Sequence, residues 1–355
     1  MYEQFFGLRE RPFDLVPDPR FLVLTDSHAE VLSTLQYAIA SRKGVTVLIG
    51  EAGLGKTTLL RAALDKQSER VHFVYIQNPV LSRGEFVELL AKRFGLSKEA
   101  ASSKTTLLEE LEKLLQQARR NGETTLLVVD EGQSLPPELL EEVRLLANIE
   151  TNSERLLSVI IAGQPELADR LNDPSLRQFK QRIALRCRLR PLTADETTAY
   201  LAGRIAAAGG VGGHVFTREA VAEIYRRSSG VPRMVSVIAD NALLGGFAAG
   251  RRPVVASIVE EVCADLDLPE APPAGRAPAP ADTGAAAPRA TQPTSQDPAA
   301  VDTRFRMLRA RVSLPREVEL REAKKSDARP PARAVGEAEM FGTVLKKRRF
   351  FFFRG

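Results

Sequence analysis

The sequence predicts an α/β fold in which helices sandwich a parallel five-stranded sheet, followed by a small helical domain and a disordered C-terminal tail. The first observation is that five short apolar runs alternate with helical patterns up to about residue 190. Such alternation is typical of a parallel sheet covered on both faces. The second is that strand patterns then cease while helical periodicity continues to residue 268. The third is that residues 269–300 hold 8 Pro and 11 Ala in 32 positions, a composition typical of a stiff linker.

Residues 1–40 are predicted to form an N-terminal cap. Its first part is rich in aromatic residues and proline and is interpreted as extended. We expect Phe5, Phe6 and Phe13 to pack against the first domain. A helical pattern follows from Ser27 to Ala40, with apolar residues on one face.

The α/β domain is predicted over residues 41–190. Its predicted strands are 45–49, 71–76, 125–130, 157–162 and 185–189, and the helices between them include Arg83–Phe94 and Thr105–Arg120. Ligands of open parallel sheets bind at the carboxyl ends of the strands. We therefore expect the functional residues to follow strands directly.

The helical lid domain is predicted over residues 191–268. A capping box at Thr193 and Glu196 begins a helix that runs to about Ala208. Three more helical patterns follow, at 217–229, 231–249 and 255–267. The linker of residues 269–300 and a basic, disordered tail of residues 301–355 complete the chain.

The stretch from Gly50 to Thr57 fits the phosphate-binding loop pattern G-x-x-x-x-G-K-[ST] at every fixed position, between an apolar run and a helical pattern. Its glycines let backbone N–H groups point at an anion, and the helix N-terminus adds partial positive charge. The pattern predicts a nucleotide as the ligand, with Lys56 reaching the β- and γ-phosphates and the Thr57 hydroxyl binding Mg²⁺. A glycine-rich turn without nucleotide is the alternative. The candidate nucleotide-binding residues here are Gly50, Glu51, Ala52, Gly53, Leu54, Gly55, Lys56, Thr57 and Thr58.

A second apolar run, Thr125–Val129, ends in two carboxylates, Asp130 and Glu131. A carboxylate just past a strand beside the loop strand is placed to hold Mg²⁺ through water. The adjacent carboxylate can orient and deprotonate an attacking water. We therefore predict Asp130 as a metal residue and Glu131 as the catalytic base, with a plain acidic turn as the alternative.

The charge distribution and the cysteine and histidine content argue against two classes of function. The net charge is +5, but residues 301–355 alone hold 15 Lys or Arg against 7 Asp or Glu, so the rest of the chain is slightly acidic. A basic, nucleic-acid-binding body is therefore not indicated. Two cysteines without paired spacing and three scattered histidines disfavour a disulfide framework or a metal centre held by such ligands.

We expect the protein in the cytoplasm, where it can also contact the inner membrane peripherally. The first residues lack a basic region followed by a long apolar run, so no signal peptide is expected. No apolar run approaches the roughly 20 residues of a membrane span. In the tail, Lys346–Arg349 precede four phenylalanines, a pattern that favours an anionic membrane surface over nucleic acid. A solvated tail with no partner is the alternative.

Three further segments resemble a known family. They read FGLRERPF from Phe6, DEGQ from Asp130 and AGQPEL from Ala162. Together with the phosphate loop and the short turn Gly230–Arg233, they resemble the AAA+ ATPases. More narrowly, they resemble the ExeA-type (general secretion pathway protein A) ATPases, which are related to pilus-biogenesis and transposition-helper members. The resemblance covers roughly residues 1–268.

The AAA+ resemblance implies roles for residues outside the two motifs. Gln164 matches the sensor-1 side chain, which contacts the γ-phosphate or the attacking water. Arg233 matches the sensor-2 position, which closes the helical domain onto the nucleotide. Arg182 is implied as an arginine finger that faces a neighbouring subunit, and Arg177 and Arg186 compete for that role.

The chain departs from the family at two points. Members typically continue into a transmembrane helix and a periplasmic peptidoglycan-binding region, whereas this chain continues into the linker and the basic tail. The family usually has Ala where Gly132 stands, and we expect this difference to matter little.

In AAA+ proteins the N-terminal region can also close over the adenine, which is the alternative role for the aromatic opening.

The resemblance implies Mg²⁺-dependent ATP hydrolysis by a homo-oligomer. Hydrolysis would be coupled to assembling or energising a secretion, pilus or envelope-polysaccharide apparatus, whose protein components are the expected partners. A DNA-associated ATPase of the transposition-helper or origin-recognition type is one alternative, disfavoured because no basic DNA-reading domain follows residue 268. A nucleotide-switched adaptor with little turnover is the other, disfavoured by the intact Glu131.

Overall fold

The computed structural model describes residues 1–15, 19–77, 80–151 and 154–268, so the predicted linker and basic tail lie outside the described residues. The strands are β1 (Val45–Ile49), β2 (Val71–Ile76), β3 (Thr124–Val129), β4 (Leu157–Gly163) and β5 (Ile183–Arg188). The helices are α1 (Tyr2–Phe6), α2 (Asp26–Ala40), α3 (Lys56–Asp65), α4 (Arg83–Phe94), α5 (Lys98–Ser102), α6 (Lys104–Arg120), α7 (Pro137–Leu146), α8 (Pro165–Arg170), α9 (Arg177–Arg182), α10 (Ala194–Ala207), α11 (Arg218–Ser228), α12 (Pro232–Ala248) and α13 (Ala256–Asp265).

The five strands form one parallel sheet in the order β2-β3-β4-β1-β5, which confirms the predicted fold class. Strand β3 begins and ends one residue earlier than predicted, so Asp130 lies just past its end. Strand β5 begins two residues earlier than predicted. Because β4 lies between β3 and β1, the residues that follow these three strands meet at one edge of the sheet.

Each face of the sheet has its own apolar core. One face packs against α4 and α6 to α9, where Phe86 and Phe179 are fully buried. The other packs against α2 and α3, where Leu35 and Leu59 contact the sheet around Leu48. Strands β1 and β4 are buried along their whole length. That burial explains why they read as continuous apolar runs in the sequence.

Helices α10 to α13 surround a separate core that includes the N-terminal residues. The prediction that Phe5, Phe6 and Phe13 pack against the first domain is wrong, because Phe6 and Phe13 are buried in this helical core and Phe5 packs against it. The Phe5 ring lies 5.6 Å from the Phe247 ring of α12. Residues 2–6 form the short helix α1 and are not extended. The aromatic rings gain more by burial against α12 than by lying exposed in an extended strand.

Helix α2 belongs to the other core, since Val31, Leu35 and Ile39 pack on the sheet. The segment 1–40 is therefore divided between two apolar cores. Within the part of the chain that the structure describes, no helix combines the length and the hydrophobicity that crossing a membrane requires.

Candidate active site

A cleft of about 430 Å³ lies at the carboxyl edge of the sheet, between the phosphate loop and the helical domain. Its loop side is lined by Ala52, Gly53, Leu54, Gly55, Lys56, Thr57, Thr58, Leu59 and Glu131. Its opposite side is lined by Asp14, Leu15, Phe21, Leu22, Val23, His28, Tyr200, Arg204, Pro232, Arg233 and Ser236. The cleft therefore has room and polar groups for a nucleotide-sized ligand.

The phosphate loop has the backbone that its glycines allow. Gly53 and Gly55 take positive φ angles of 80° and 95°, a region that residues with a Cβ rarely enter. The Lys56 ammonium, only 4% exposed, donates to the carbonyls of Gly50 (2.8 Å) and Glu51 (3.0 Å). Its pKa is lowered by burial, and the nearby carboxylate of Glu131 opposes that shift. A buried ammonium that pairs with neutral carbonyls at the start of a helix is suited to an anionic ligand.

Asp130 lies beneath the loop and is fully buried. Its Oδ2 accepts hydrogen bonds from the Thr57 hydroxyl (2.6 Å) and the Tyr75 hydroxyl (2.7 Å). Its Oδ1 accepts from the backbone N–H of Glu131 at 3.0 Å. Burial and the neighbouring Asp130 carboxylate raise the pKa of Tyr75, so this phenol stays a hydrogen-bond donor.

This donor set fits Mg²⁺. A hydroxyl and a carboxylate that share a hydrogen bond provide the hard oxygen ligands that Mg²⁺ prefers, with substrate phosphates and water completing the shell. Among the described residues no group of three His, Cys, Asp or Glu forms a metal site of its own. Thr57 and Asp130 would therefore hold the ion only together with a bound nucleotide.

Glu131 lines the cleft beside Lys56. Its backbone takes a positive φ of 55°, which is uncommon for a residue with a side chain. Its Oε2 accepts from the side-chain amides of Gln133 and, at 3.4 Å, Gln164. Gln164 is the first residue past β4 and does not itself line the cleft. The structure thus brings together the predicted base and the predicted sensor.

Arg233 lines the cleft from the start of α12. Its backbone N–H donates to the Gly53 carbonyl at 3.2 Å, and a Cβ built on Gly53 would lie 3.0 Å from the Arg233 Cβ. The helical domain therefore touches the phosphate loop directly, and both helix α12 and helix α3 begin at the cleft.

The other side of the cleft is organised around Arg204. Its guanidinium lies over the rings of Phe13, Phe21 and Tyr200, at 5.9, 5.5 and 5.5 Å from their centroids. It donates to the carbonyls of Pro12 (2.6 Å) and Asp14 (3.0 Å). One side chain thus joins the N-terminal segment to α10.

His28 joins the same segment to the phosphate loop. The Leu54 carbonyl, 3.3 Å away, can only accept, so His28 Nε2 donates and Nδ1 accepts from the Thr25 hydroxyl at 2.7 Å. The ring is 6% exposed, and burial holds its pKa below the usual value. The uncharged ring is therefore the form that this position favours.

The arginine-finger candidates do not lie in this cleft. Arg182 is half-buried at the end of α9, while Arg177 and Arg186 are exposed on α9 and β5. None of them lines the cleft of its own chain. That placement is compatible with action on another subunit, and the role stays a prediction.

Gly132 has little free space for the alanine that the family usually has at this position. A Cβ at this position would lie 2.5 Å from Ile161 Cγ2 and 3.2 Å from the Ala162 carbonyl. Ile161 is fully buried in the central strand β4, so a shift of its side chain would disturb the surrounding core. The expectation that Ala or Gly here matters little stays a prediction, and this tight packing is an argument against it.

Sequence patterns missed Tyr75, His28, Gln133 and Arg204. Tyr75 sits in a strand that reads as ordinary core, and only the register of β2 with β3 brings it to Asp130. Arg204 follows two of its aromatic partners, Phe13 and Phe21, by 191 and 183 residues along the chain. Gln133 lies inside the segment DEGQ, so that motif was the available signal.

Comparison with known proteins agrees with this geometry. A family model described as "AAA domain" matches residues 39–171. General secretion pathway protein A of Aeromonas hydrophila is 37% identical over 255 residues, which cover 72% of this chain and 46% of that protein. The chain is an AAA+ protein of the general secretion pathway protein A type. It spans about half the length of that curated relative.

Two solved structures show the same fold. The Drosophila ORC bound to DNA matches with a TM-score of 0.54 at 21% identity, covering 76% of this chain and 66% of that chain. The ORC2 protein of Aeropyrum pernix, solved as ADPNP-ADP complexes, matches with a TM-score of 0.53 at 18% identity, covering 72% of each chain. At such identities the likeness shows the architecture alone.

Proposed function

We propose that this AAA+ protein binds ATP with Mg²⁺ in the cleft and hydrolyses it. The observation that carries the proposal is the arrangement of three side chains at one edge of the sheet. The Thr57–Asp130 pair lies under the phosphate loop, and the Glu131 carboxylate faces the same cleft. A binding module without turnover has no need of a second carboxylate at that point.

Each side chain has a task in this reaction. Lys56 would exchange the loop carbonyls for phosphate oxygens, with which a charged donor makes stronger bonds. Bound Mg²⁺ would supply positive charge at the β- and γ-phosphates. Glu131 would accept a proton from the attacking water, and the Gln164 amide would orient that water or the γ-phosphate. Arg233 would close α12 onto the nucleotide.

We further propose a homo-oligomer in which Arg182 acts on the nucleotide of a neighbouring subunit. Its absence from the cleft of its own chain is the supporting observation. Arginine fingers contribute roughly 10³-fold or more in rate where they occur. Mixing Arg182→Ala with Lys56→Ala protein should restore part of the lost hydrolysis, because one subunit then offers an intact cleft and the other an intact arginine. No recovery on mixing would rule out this arrangement.

We propose the process that hydrolysis serves from the similarity to a secretion protein. General secretion pathway protein A shares 37% identity with this chain, which supports partners in a secretion or envelope assembly system. Hydrolysis should then rise when those partners are added. An ATPase rate unchanged by any component of the co-expressed secretion apparatus would argue against this coupling.

The decisive experiment for hydrolysis is Glu131→Gln. The amide keeps the shape but loses the basicity, so ATP affinity should persist while turnover falls by about 100-fold or more. Glu138→Gln is the matched control, since Glu138 is exposed at the start of α7. Turnover at the parental rate in Glu131→Gln, or none in the parent protein, would overturn the proposal.

A further inference from the structure

Gln133, the last residue of the segment DEGQ, has no role in the proposed reaction as described so far. Gln133 lies in a short 3-10 turn, Gly132–Ser134, directly after Asp130 and Glu131. It is half-buried and does not line the cleft. Its contacts, however, reach both the predicted base and the end of β4.

Three hydrogen bonds hold Gln133 in place. Its side-chain Oε1 accepts from the backbone N–H of Gln164 at 3.0 Å. Its side-chain Nε2 donates to Glu131 Oε2. Its backbone carbonyl accepts from Arg170 Nη1 at 2.6 Å. The residue therefore connects β3, β4 and α8 at the edge where the cleft lies.

The turn itself is packed rigidly. The Ser134 N–H donates to the Glu131 carbonyl at 2.9 Å, and Gly132 lies so close to Ile161 that even a methyl group would clash. The backbone of Gln133 therefore cannot drift relative to the sheet. The sheet therefore holds both the Gln133 side-chain amide and the phosphate loop.

The orientation of the Gln133 amide is determined by its partners. A backbone N–H can only donate, so the atom facing Gln164 must be the oxygen. The amide nitrogen then faces Glu131, and a flipped amide would set an oxygen against a carboxylate oxygen. Gln133 can make both contacts in one orientation only.

This arrangement divides the two oxygens of Glu131 between two tasks. Oε2 is held by the Gln133 and Gln164 amides. No described residue hydrogen-bonds Oε1. One oxygen is thereby anchored to the sheet, and the other is left to accept a proton.

We propose that Gln133 is a positioning residue for hydrolysis, which fixes the carboxylate of Glu131 so that Oε1 faces the attacking water. This inference rests on the proposed ATPase function. It also makes Gln133 the link between Gln164 and Glu131, so that the predicted sensor and the predicted base move as one unit. A turn residue with only a structural role would lack this selective effect on catalysis.

Two substitutions separate positioning from structure. Gln133→Met keeps the length of the side chain but removes both hydrogen bonds. Gln133→Glu keeps an acceptor for the Gln164 N–H and sets a negative charge against Glu131. Gln117→Met is the matched control, because Gln117 is exposed on α6 and its side-chain amide makes a long, 3.4 Å hydrogen bond to Asn121.

The experiment measures kcat, KM and the equilibrium Kd for ATP in the full-length parent and each variant. Misplacing a catalytic group by about 1 Å can cost roughly 100-fold in rate. We therefore expect Gln133→Met to lower kcat between about 10- and 100-fold, and Gln133→Glu to lower it further, with KM and Kd within twofold of the parent. Gln117→Met should match the parent in all three quantities.

A second background tests whether Gln133 acts through Glu131. Groups that work as one unit give non-additive losses. Gln133→Met should therefore cause no further loss of residual turnover when Glu131→Gln is already present. An equal fold-loss in both backgrounds, a changed Kd with kcat intact, or a parental kcat in Gln133→Glu would each overturn the inference.

The outcomes also separate this inference from the function on which it rests. A parent protein that does not hydrolyse ATP contradicts the proposed function and this inference together. A parent that hydrolyses ATP, with Gln133→Met at the parental kcat, contradicts this inference alone.

Discussion

The two sides of the cleft are built in contrasting ways. The phosphate wall, meaning residues 50–58 with Asp130 and Glu131, comes from two short contiguous segments that follow β1 and β3, the two strands on either side of β4. The aromatic wall, meaning Phe21, Tyr200, Arg204 and Ser236, comes from an N-terminal segment and two helices far along the chain. The first wall is a local motif, and the second exists only in the folded chain.

The forces that stabilise the two walls differ as well. The phosphate wall holds buried charged and polar groups, such as Lys56 and Asp130, that are incompletely neutralised until a ligand arrives. The aromatic wall is satisfied without any ligand, because Arg204 already contacts three rings and two carbonyls. Damage to the first wall should therefore show in binding, and damage to the second in stability.

The largest expected effect is Lys56→Ala, which damages the phosphate wall alone. Loss of a charge-assisted bond to phosphate should weaken ATP binding by about 3 kcal/mol, roughly 150-fold. The thermal midpoint without nucleotide should not fall, since a buried ammonium is removed. Equilibrium titration with a fluorescent ATP analogue measures this, with exposed Lys66→Ala as the control. An affinity within twofold of the parent would contradict the assignment of the loop.

Arg204→Ala damages the aromatic wall. The lost cation–π contacts and carbonyl bonds should lower the free energy of unfolding by about 2 kcal/mol. Urea denaturation followed by circular dichroism measures the loss, and exposed Arg251→Ala on the same domain is the control. If Arg204→Ala instead left stability unchanged and reduced ATP affinity as much as Lys56→Ala, the distinction between the two walls would fail.

Gly132→Ala tests the packing that supports the phosphate wall. The added methyl would lie 2.5 Å from Ile161 Cγ2, in a strand that is buried along its whole length. Overpacking of this kind costs about 1–2 kcal/mol in the free energy of unfolding. Gly84→Ala is the control, because nothing lies within 4 Å of its Cβ position and it sits in helix α4. A parental denaturation midpoint for Gly132→Ala would show that β4 relaxes more easily than its burial indicates.

The smallest effect concerns His28, which joins the two walls. Burial is the main cause that lowers the pKa of His28, and the positive charge of Arg190 lowers it further. The hydrogen bond with Leu54 and the carboxylate of Glu196 raise this pKa in part. The unfolded chain therefore takes up the proton first as the pH falls, and stability should decline below about pH 6.5. His28→Gln keeps a donor toward Leu54 and cannot titrate in this range, so this part of the decline should vanish. Denaturation curves at about pH 7.5 and 5.5 measure the difference, and identical pH slopes for parent and variant would count against it.

Much of the fold could be predicted from the sequence. The buried strands read as apolar runs because both faces of the sheet are covered, and β1 and β2 have the predicted bounds. The phosphate loop could be recognised because its glycines and Lys56 must follow one another directly to curl around an anion. Asp130 and Glu131 were recognisable because parallel strands present their carboxyl ends at one edge.

The sequence by itself determined the motifs whose parts are neighbours along the chain: the loop, the acidic pair and the helical periods. Only the tertiary structure decided that the aromatic opening packs on α12, that Arg204 joins Phe13 and Phe21 to α10, and that Tyr75 donates to Asp130. The physical reason is the distance along the chain between the residues that interact. Backbone conformation and periodicity are local properties that a pattern records, whereas a side chain finds its partner through the packing of whole elements, which no local pattern contains.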